Sequence, residues 1–320
     1  MNPARIVCMP VAAIAASLIG MTSSLHAAII AHWSFDTPTI TTDAGDGHIL
    51  TAGDATGAHN ATTRVNGTGR TINSVVGQFG QAADFTNVIG NQGTNNAYMD
   101  FPQLTEISGP SGGSFTVASW AKVPAAATTD DLSILADWGN APAGTNRFTY
   151  WFELDNADSN ANSRPRAQMR WVNVPPSPAL AAGQTADIVA TTVGATNGAG
   201  IADLADDAWH HLAWVWDKPN ATMHFYIDGI LAQSQAQNAG AASSDLLISD
   251  SPVGAIGAKR DNNRYFVGSL DELWVVGRAL QGSEISLLRT QNTVVPEPVA
   301  LTLAASGSLA AAARRRRRAG

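Results

Sequence analysis

The clearest hydrophobic pattern in the chain runs from Trp209 to Leu231. Leu212, Trp214 and Trp216 alternate with His211, Ala213 and Val215, and this period of two predicts a strand over Trp209–Asp217. Both sets carry apolar groups, which places the strand inside a packed sheet. Lys218-Pro219-Asn220-Ala221 supplies a turn, because proline fixes φ and asparagine tolerates the left-handed region. Met223, Phe225 and Ile227 then alternate with His224, Tyr226 and Asp228, and Asp228-Gly229 is the dipeptide that a two-residue hairpin turn favours.

Weaker copies of the same alternation recur along the chain. Ile29–Asp36 has Ile29, Ala31, Trp33 and Phe35 on one side and His32, Ser34 and Asp36 on the other, a half-buried strand. From Thr37 to Val75 the pattern fails, and Gly, Asp, Thr and Asn predict a long loop with one short strand. Short strands are expected within Gly77–Phe85 and Ala97–Phe101, and clear ones over Ser114–Val123, Leu132–Trp138, Arg147–Asp155 and Ala167–Val174. Pro175–Asp207 is a second irregular tract, without the apolar stripe of a long helix. Leu246–Ser249 and Ala255–Gly257 are short strands and Arg264–Val276 a longer one. Ser283–Arg289 is expected to form helical turns capped by Ser283. Evenly spaced strands, no alternation with helices and no fixed repeat predict an all-β antiparallel sandwich or barrel.

The ends differ from the middle. Arg5, an apolar run from Ile6 to Ile19 and small residues around Ala27-Ala28 read as a secretory signal peptide over residues 1–28. The only cysteine, Cys8, lies inside it, so the mature chain has no disulfide, no thiol nucleophile and no thiolate metal site. At the other end Pro296-Glu297-Pro298 precedes the apolar run Val299–Ala313 and the arginines Arg314, Arg315, Arg316, Arg317 and Arg318. The basic cluster would stay cytoplasmic, leaving the preceding domain outside. This tail resembles the PEP-CTERM sorting signal of Gram-negative bacteria. The resemblance implies an exosortase partner, a transmembrane helix that contacts the inner membrane transiently through Val299–Ala313, and delivery to the cell surface or extracellular matrix. The expected organisation is signal peptide 1–28, sandwich 29–292 and sorting tail 293–320. The net charge of −7 falls to −12 once Arg5, Glu297 and Arg314–Arg318 are set aside, which disfavours nucleic acid as a partner.

His32-Trp33-Ser34-Phe35-Asp36, Ser114-Phe115-Thr116-Val117-Ala118-Ser119-Trp120, Trp209-His210-His211-Leu212-Ala213 leading to Tyr226-Ile227-Asp228-Gly229, and Gly268-Ser269-Leu270-Asp271-Glu272-Leu273 with Arg278-Ala279-Leu280 occur in this order. Together they resemble the LamG-like domains of the concanavalin A-like lectin/glucanase superfamily. The resemblance implies a two-sheet antiparallel jelly roll. It implies no single activity, because the same sandwich carries lectins, adhesion modules and glycosidases.

Asp36 and Asp271 each follow a core strand motif, and the resemblance implies that the first and last strands lie side by side. In related domains such aspartates, with backbone carbonyls, hold Ca2+, a hard cation taking six to eight oxygens. The alternative is that Asp271 accepts backbone hydrogen bonds. Glu153-Leu154-Asp155-Asn156-Ala157-Asp158 is similar to the Glu-x-Asp-x-x-Glu strand of the superfamily's β-glucanases, whose retaining chemistry needs carboxyl groups about 5–5.5 Å apart. Asp158 departs from that pattern, and Asn156-Ala157 begins a turn where the glucanase strand continues. An acidic strand end is therefore expected, with catalysis by Glu153, Asp155 and Asp158 as the alternative. Trp138, Tyr150, Trp151 and Trp171 cluster on the middle strands, either filling the core or stacking on sugar. Trp151 shares a face with Glu153 and Asp155, so Trp151, Glu153 and Arg170 are the candidate carbohydrate contacts, with Trp151 expected to be exposed. His210 and His211 point to opposite faces and are not a metal pair, His211 being expected as a satisfied core histidine. No phosphate loop, nucleophile elbow or zinc motif is present. The expected function is an exported, non-catalytic module that recognises polysaccharide or another glycan of the envelope or matrix. A glycoside hydrolase or lyase and a ligand-free structural matrix protein are the alternatives.

Overall fold

The computed structural model describes residues 29–37, 39–41, 48–87, 95–109, 112–127, 131–139, 147–155, 164–172, 185–189, 203–237, 239–246, 248–249, 251–259 and 264–294. All of them fall in one compact unit, Ala27–Val295. The strands are β1 (Ile29–Trp33), β2 (Thr39–Thr41), β3 (His48–Ala52), β4 (Ala61–Asn66), β5 (Ile72–Val76), β6 (Gln81–Phe85), β7 (Asn96–Pro102), β8 (Phe115–Lys122) and β9 (Leu132–Gly139). They continue as β10 (Arg147–Asp155), β11 (Arg164–Val172), β12 (Thr185–Val189), β13 (Trp209–Asp217), β14 (Thr222–Ile227), β15 (Ile230–Ala236), β16 (Asp245–Leu246), β17 (Val253–Ile256) and β18 (Gly268–Val276), followed by helix α1 (Gly282–Gln291).

These strands form two antiparallel sheets of a jelly-roll sandwich. One runs β15-β14-β13-β8-β18, and β18 then pairs along its other edge with β6 through residues 268–270 and with β1 through residues 273–276. The other runs β12-β11-β10-β9-β17-β7-β4-β3-β2. A single pairing, His48 with Asn73, links the two through β3 and β5.

Alternation decides which side chains meet between the sheets. Leu212, Trp214 and Trp216 of β13 face inward with Phe115, Phe225, Tyr150, Phe152 and Leu154. Trp214 meets Phe115 edge-on at 4.9 Å between ring centres, and Phe152 of the opposite sheet at 6.5 Å. The other face of β13 carries Ala213 and Val215, which pack with Ala118, Trp274 and Val276 beneath Leu280, Ile285 and Leu288 of α1 and the segment before it. Cover on both faces is the reason β13 reads as apolar on both sides. The hairpin turn is as expected: Asp228 and Gly229 have φ of 52° and 79°, the positive values a two-residue primed turn requires.

The structure corrects three expectations. Residues 37–75 hold four strands, β2 to β5, where one was expected. They have few apolar positions, and Ile49, Ala52, Ala61 and Ile72 are their buried contacts, so backbone pairing at a sheet margin carries them more than any pattern. The cap of α1 is Gln281 rather than Ser283, with the Gln281 N–H donating to Glu284 Oε2 at 2.9 Å. Lastly, no helix among the described residues is long and apolar enough to cross a membrane. The transmembrane helix, the transient inner-membrane partner and the exosortase contact it would serve are withdrawn. Val299–Ala313 lies outside the described residues, and a helix of about 15 residues rises about 22 Å, short of a hydrocarbon core of about 30 Å.

Trp214 tests the inter-sheet core, because its indole N–H is buried without a hydrogen-bond partner. Trp214→Ala should cost about 3–5 kcal/mol, read as a lower denaturant midpoint at unchanged slope. Trp214→Phe should cost much less, since it removes that unsatisfied donor along with part of the ring.

Candidate functional site

The outward face of the β9-β10-β11 sheet brings tryptophans, carboxylates and cations together. Tyr150, Phe152 and Leu154 of β10 enter the core, so Trp151, Glu153 and Asp155 share the opposite face. Register brings Trp151 opposite Gln168, Glu153 opposite Arg166 and Asp155 opposite Arg164. Trp138 of β9 meets Trp151 edge-on at 5.6 Å, and the two form with Ala136 a small apolar cluster apart from the main core. The Trp151 indole N–H donates to Ser133 Oγ at 2.6 Å. Two cations from the segment before β18 lie over this floor. Lys259 Nζ is 3.7 Å from the Trp138 ring centre and the Arg264 guanidinium 4.3 Å from that of Trp151.

Beside the indoles is a charge network. Arg264 Nη1 bonds the Asp131 carboxylate and donates to Glu153 Oε2 at 3.3 Å. Arg166 Nη1 donates to Asp155 Oδ2 at 3.4 Å and lies 3.7 Å from Glu153 Oε1, while Arg164 Nη2 is 3.8 Å from Asp155. Burial pushes the Glu153 carboxyl well above the usual carboxylate range, against the pull of Arg264 and with a further push from Asp131.

Trp151 was expected to be exposed, and it is not: at 3% exposure it is roofed by Arg264 and Lys259. Tyr150 belongs to the main core, and the side chain of Trp171 and all of Asp158 lie outside the described residues. Arg170 is half-buried on the same face as Arg166 but opposite Thr185, one pair further along than Gln168 and Trp151, and burial lowers its pKa. Arg164, Arg166 and Arg170 were legible as a period-two series in RPRAQMR. Asp131 and Lys259 stand in stretches without a pattern, and Arg264, expected to open the last strand, lies before it, since β18 begins at Gly268, so only the folded chain brings them here.

Asp36 and Asp271 do meet at one edge, around the Gly77–Gly80 turn between β5 and β6. Asp271 Oδ2 accepts the N–H groups of Gln78 and Phe79 at 2.7 and 3.0 Å, and Asp36 Oδ1 accepts that of Gln81 at 2.8 Å. The approach is close enough to demand glycine: a Cβ on Gly77 would sit 2.4 Å from Asp271 Oδ2, and one on Gly80 1.9 Å from Asp36 Oδ1. Asp271 Oδ1 is buried without a hydrogen-bond partner, and burial, with Glu272 alongside, pushes the carboxyl up to about 7 despite the two amides. Glu272 follows with φ of 50°, and its Oε2 lies 2.5 Å from His32 Nε2, whose ring stacks on Trp274 at 3.4 Å. Among the described residues no group of three or more His, Cys, Asp or Glu is placed to hold a metal ion.

Residues 93–286, more than half of the chain, match the family model described as the concanavalin A-like lectin/glucanases superfamily. The chain belongs to this superfamily. No curated protein matches it. Among solved structures, the binding domain of botulinum neurotoxin serotype G is similar in fold at 14% identity and a TM-score of 0.50, with 82% of this chain and 51% of that one covered. Domain 4 of AbnA, a GH43 extracellular arabinanase from Geobacillus stearothermophilus, in complex with arabinotriose, matches at 21% identity and a TM-score of 0.48, over 83% and 100% of the two chains. The binding domain of Paraclostridial Mosquitocidal Protein 1 matches at 16% and 0.49, over 82% and 52%. This lectin/glucanase chain thus spans about half the length of the two toxin domains.

The histidine pair of this lectin/glucanase sandwich divides as alternation requires. His210 Nδ1 lies 2.9 Å from Asp228 Oδ2 and its Nε2 3.2 Å from Asp206 Oδ1. Burial opposes its charge, but the bonds to Asp228 and Asp206 outweigh it and raise the pKa. His211 is buried against Trp120, its Nδ1 lacks a hydrogen-bond partner, and burial lowers its pKa to about 3. Of the two it is thus His210, not His211, whose ring nitrogens are satisfied.

The two shifts have opposite consequences. His210 binds its proton more tightly when folded, so its contribution is complete below the unfolded pKa of about 6.5 and is lost as pH rises through the raised folded value. His211 is neutral when folded, so the unfolded chain takes up the extra proton and stability falls as pH drops from about 6.5 toward 3. His211→Phe should therefore flatten part of the acid-side fall in melting temperature. His210→Gln should lose stability chiefly below pH 6.5, leaving a smaller difference in alkali.

Proposed function

We propose that the chain is an exported, non-catalytic glycan-binding module working through the outward face of β9-β10-β11, with polysaccharide of the cell envelope or extracellular matrix as its ligand. The observation that carries this reading is the Trp138–Trp151 pair, set apart from the main core and roofed by Lys259 and Arg264. A sheet face on which cations are held over an indole floor offers a ligand hydrogen-bonding and charged groups in fixed positions. Against catalysis stands the use already made of the acids. Glu153 and Asp155 both lie against Arg264, Arg166 and Arg164, whereas a retaining glycosidase needs its nucleophilic carboxylate open to the anomeric carbon. Glycan-array screening of the purified chain should give binding to a defined glycan class, with no sugar release that Glu153→Gln abolishes. An array without any signal would overturn the binding reading and favour a ligand-free structural role.

Two further readings belong to this proposal. Calcium at the Asp36/Asp271 edge is supported by the unpartnered, buried Asp271 Oδ1, although Asp271 Oδ2 and Asp36 Oδ1 already accept amide N–H groups. Backbone carbonyls would have to complete the shell. EGTA should lower the melting temperature of calcium-loaded protein, and an unchanged value would remove the metal. The organisation into signal peptide 1–28, sandwich 29–292 and tail 293–320, and delivery to the surface or matrix, rest on the sequence features alone, with Pro296-Glu297-Pro298 and Arg314–Arg318 as the features of the tail. Deleting Arg314–Arg318 should leave the chain out of the surface and matrix fractions, whereas unchanged sorting would end that reading.

A further inference from the structure

The face that holds Trp138 and Trp151 is stratified by depth. At the bottom are the acids, Glu153 with 0% and Asp155 with 2% of its side chain exposed. The indoles lie nearly as deep, at 3% and 6%. Above them, and reaching solvent, are the guanidinium-bearing side chains Arg264 at 28%, Arg166 at 22% and Arg164 at 16%, with half-buried Arg170 next in line along β11. A ligand arriving from water therefore meets arginine before it meets tryptophan or carboxylate. A neutral sugar would need an open indole face to stack on, and Lys259 and Arg264 occupy those faces at 3.7 and 4.3 Å. Guanidinium groups are planar forks that take a carboxylate or sulfate through two parallel N–H bonds.

We infer that the glycan bound at this face is anionic, bearing carboxylate or sulfate groups, and that Arg166, Arg170 and Arg264 form the rim that receives it. This deepens the glycan-binding reading and rests on it. The surrounding chain makes the inference specific. With 26 acidic against 19 basic residues overall, and five of the basic ones at Arg314–Arg318, the body as a whole repels polyanions, so attraction has to come from a local arrangement.

The test uses the whole chain in affinity electrophoresis against three polymers: polygalacturonate, dextran sulfate and neutral dextran. Retardation by one or both polyanions, none by dextran, and weakening at high salt are expected. The polyanion that retards identifies carboxylate or sulfate as the recognised group. Arg166→Gln and Arg170→Gln should each weaken retention about tenfold, the scale of one lost charge-assisted contact. Arg170→Gln is the safer variant for folding, and melting curves of both would separate lost binding from lost structure. Retardation by dextran equal to that by the polyanions would overturn the inference, and so would polyanion binding unchanged in both folded variants. Silence with all three polymers alongside a neutral hit on the glycan array overturns the anionic assignment alone. Silence here together with a blank array overturns the glycan-binding reading as well.

Discussion

The sandwich depends on how β18 is shared. All nine of its residues are buried, β8 occupies one edge along its length, and the other edge is divided between β6 and β1. Along the shared edge, pairing passes from β6 at Leu270 to β1 at Leu273, and an irregularity falls between them at Asp271–Glu272. There the register with β8 slips between Asp271 and Trp274, and Glu272 takes a left-handed backbone. Side-chain bonds gather at this point. Asp271 accepts the amides of the β5–β6 turn, and Ser119 Oγ donates to the Asp271 carbonyl at 3.1 Å. An irregularity that would weaken an ordinary strand thus becomes the joint fastening three others, at the cost of burying a carboxylate.

The same alternation of faces places the charged surface. On β10 the odd positions from Trp151 to Asp155 and the even positions from Tyr150 to Leu154 serve opposite sides of one sheet. A slip of one residue would exchange them, driving Glu153 and Asp155 into a core of phenylalanines and tryptophans. The core therefore enforces the register that assembles the charged face. The shifts in pairing between β10 and β9 fit this view, since they let Trp151 reach Ser133 while Glu153 stands over Arg166.

Much of this was legible in the sequence, for a physical reason. Where a strand is covered on both faces or packs large side chains, alternation is strong, so the β13–β14 hairpin, β8, β10 and β18 could be read directly. The Asp228-Gly229 turn could be read because its dihedral requirements leave few residues to choose from. The strands between Thr39 and Val76 could not, because backbone pairing and small residues such as Ala52 and Ala61 hold them. The meeting of Asp36 with Asp271 was foreseeable once β1 was placed beside β18, but what they grip, the turn at Gly77–Gly80, belongs to tertiary structure. Trp151 was placed on the correct face and given the wrong exposure, because its cover comes from Lys259 and Arg264, more than a hundred residues away in sequence.

Such a network is a costly way to stabilise a fold. Removing carboxylates and guanidinium groups from water costs several kcal/mol per ion, and a buried pair replaced by apolar side chains of like volume is often as stable or more so. The chain does pack aromatics where only packing is needed, between the sheets around Trp214 and under α1 around Trp274. On the β9-β10-β11 face it instead places Glu153 and Asp155 deep and spans them with arginines from a neighbouring strand and a distant segment. The carboxylates thus bind the arginines. On the binding reading proposed above, they fix each guanidinium in position before a ligand arrives, which lowers the conformational entropy that binding must overcome. In this arrangement the acids of β10 lie deep, and the part of the face that reaches solvent is made by the cations they hold.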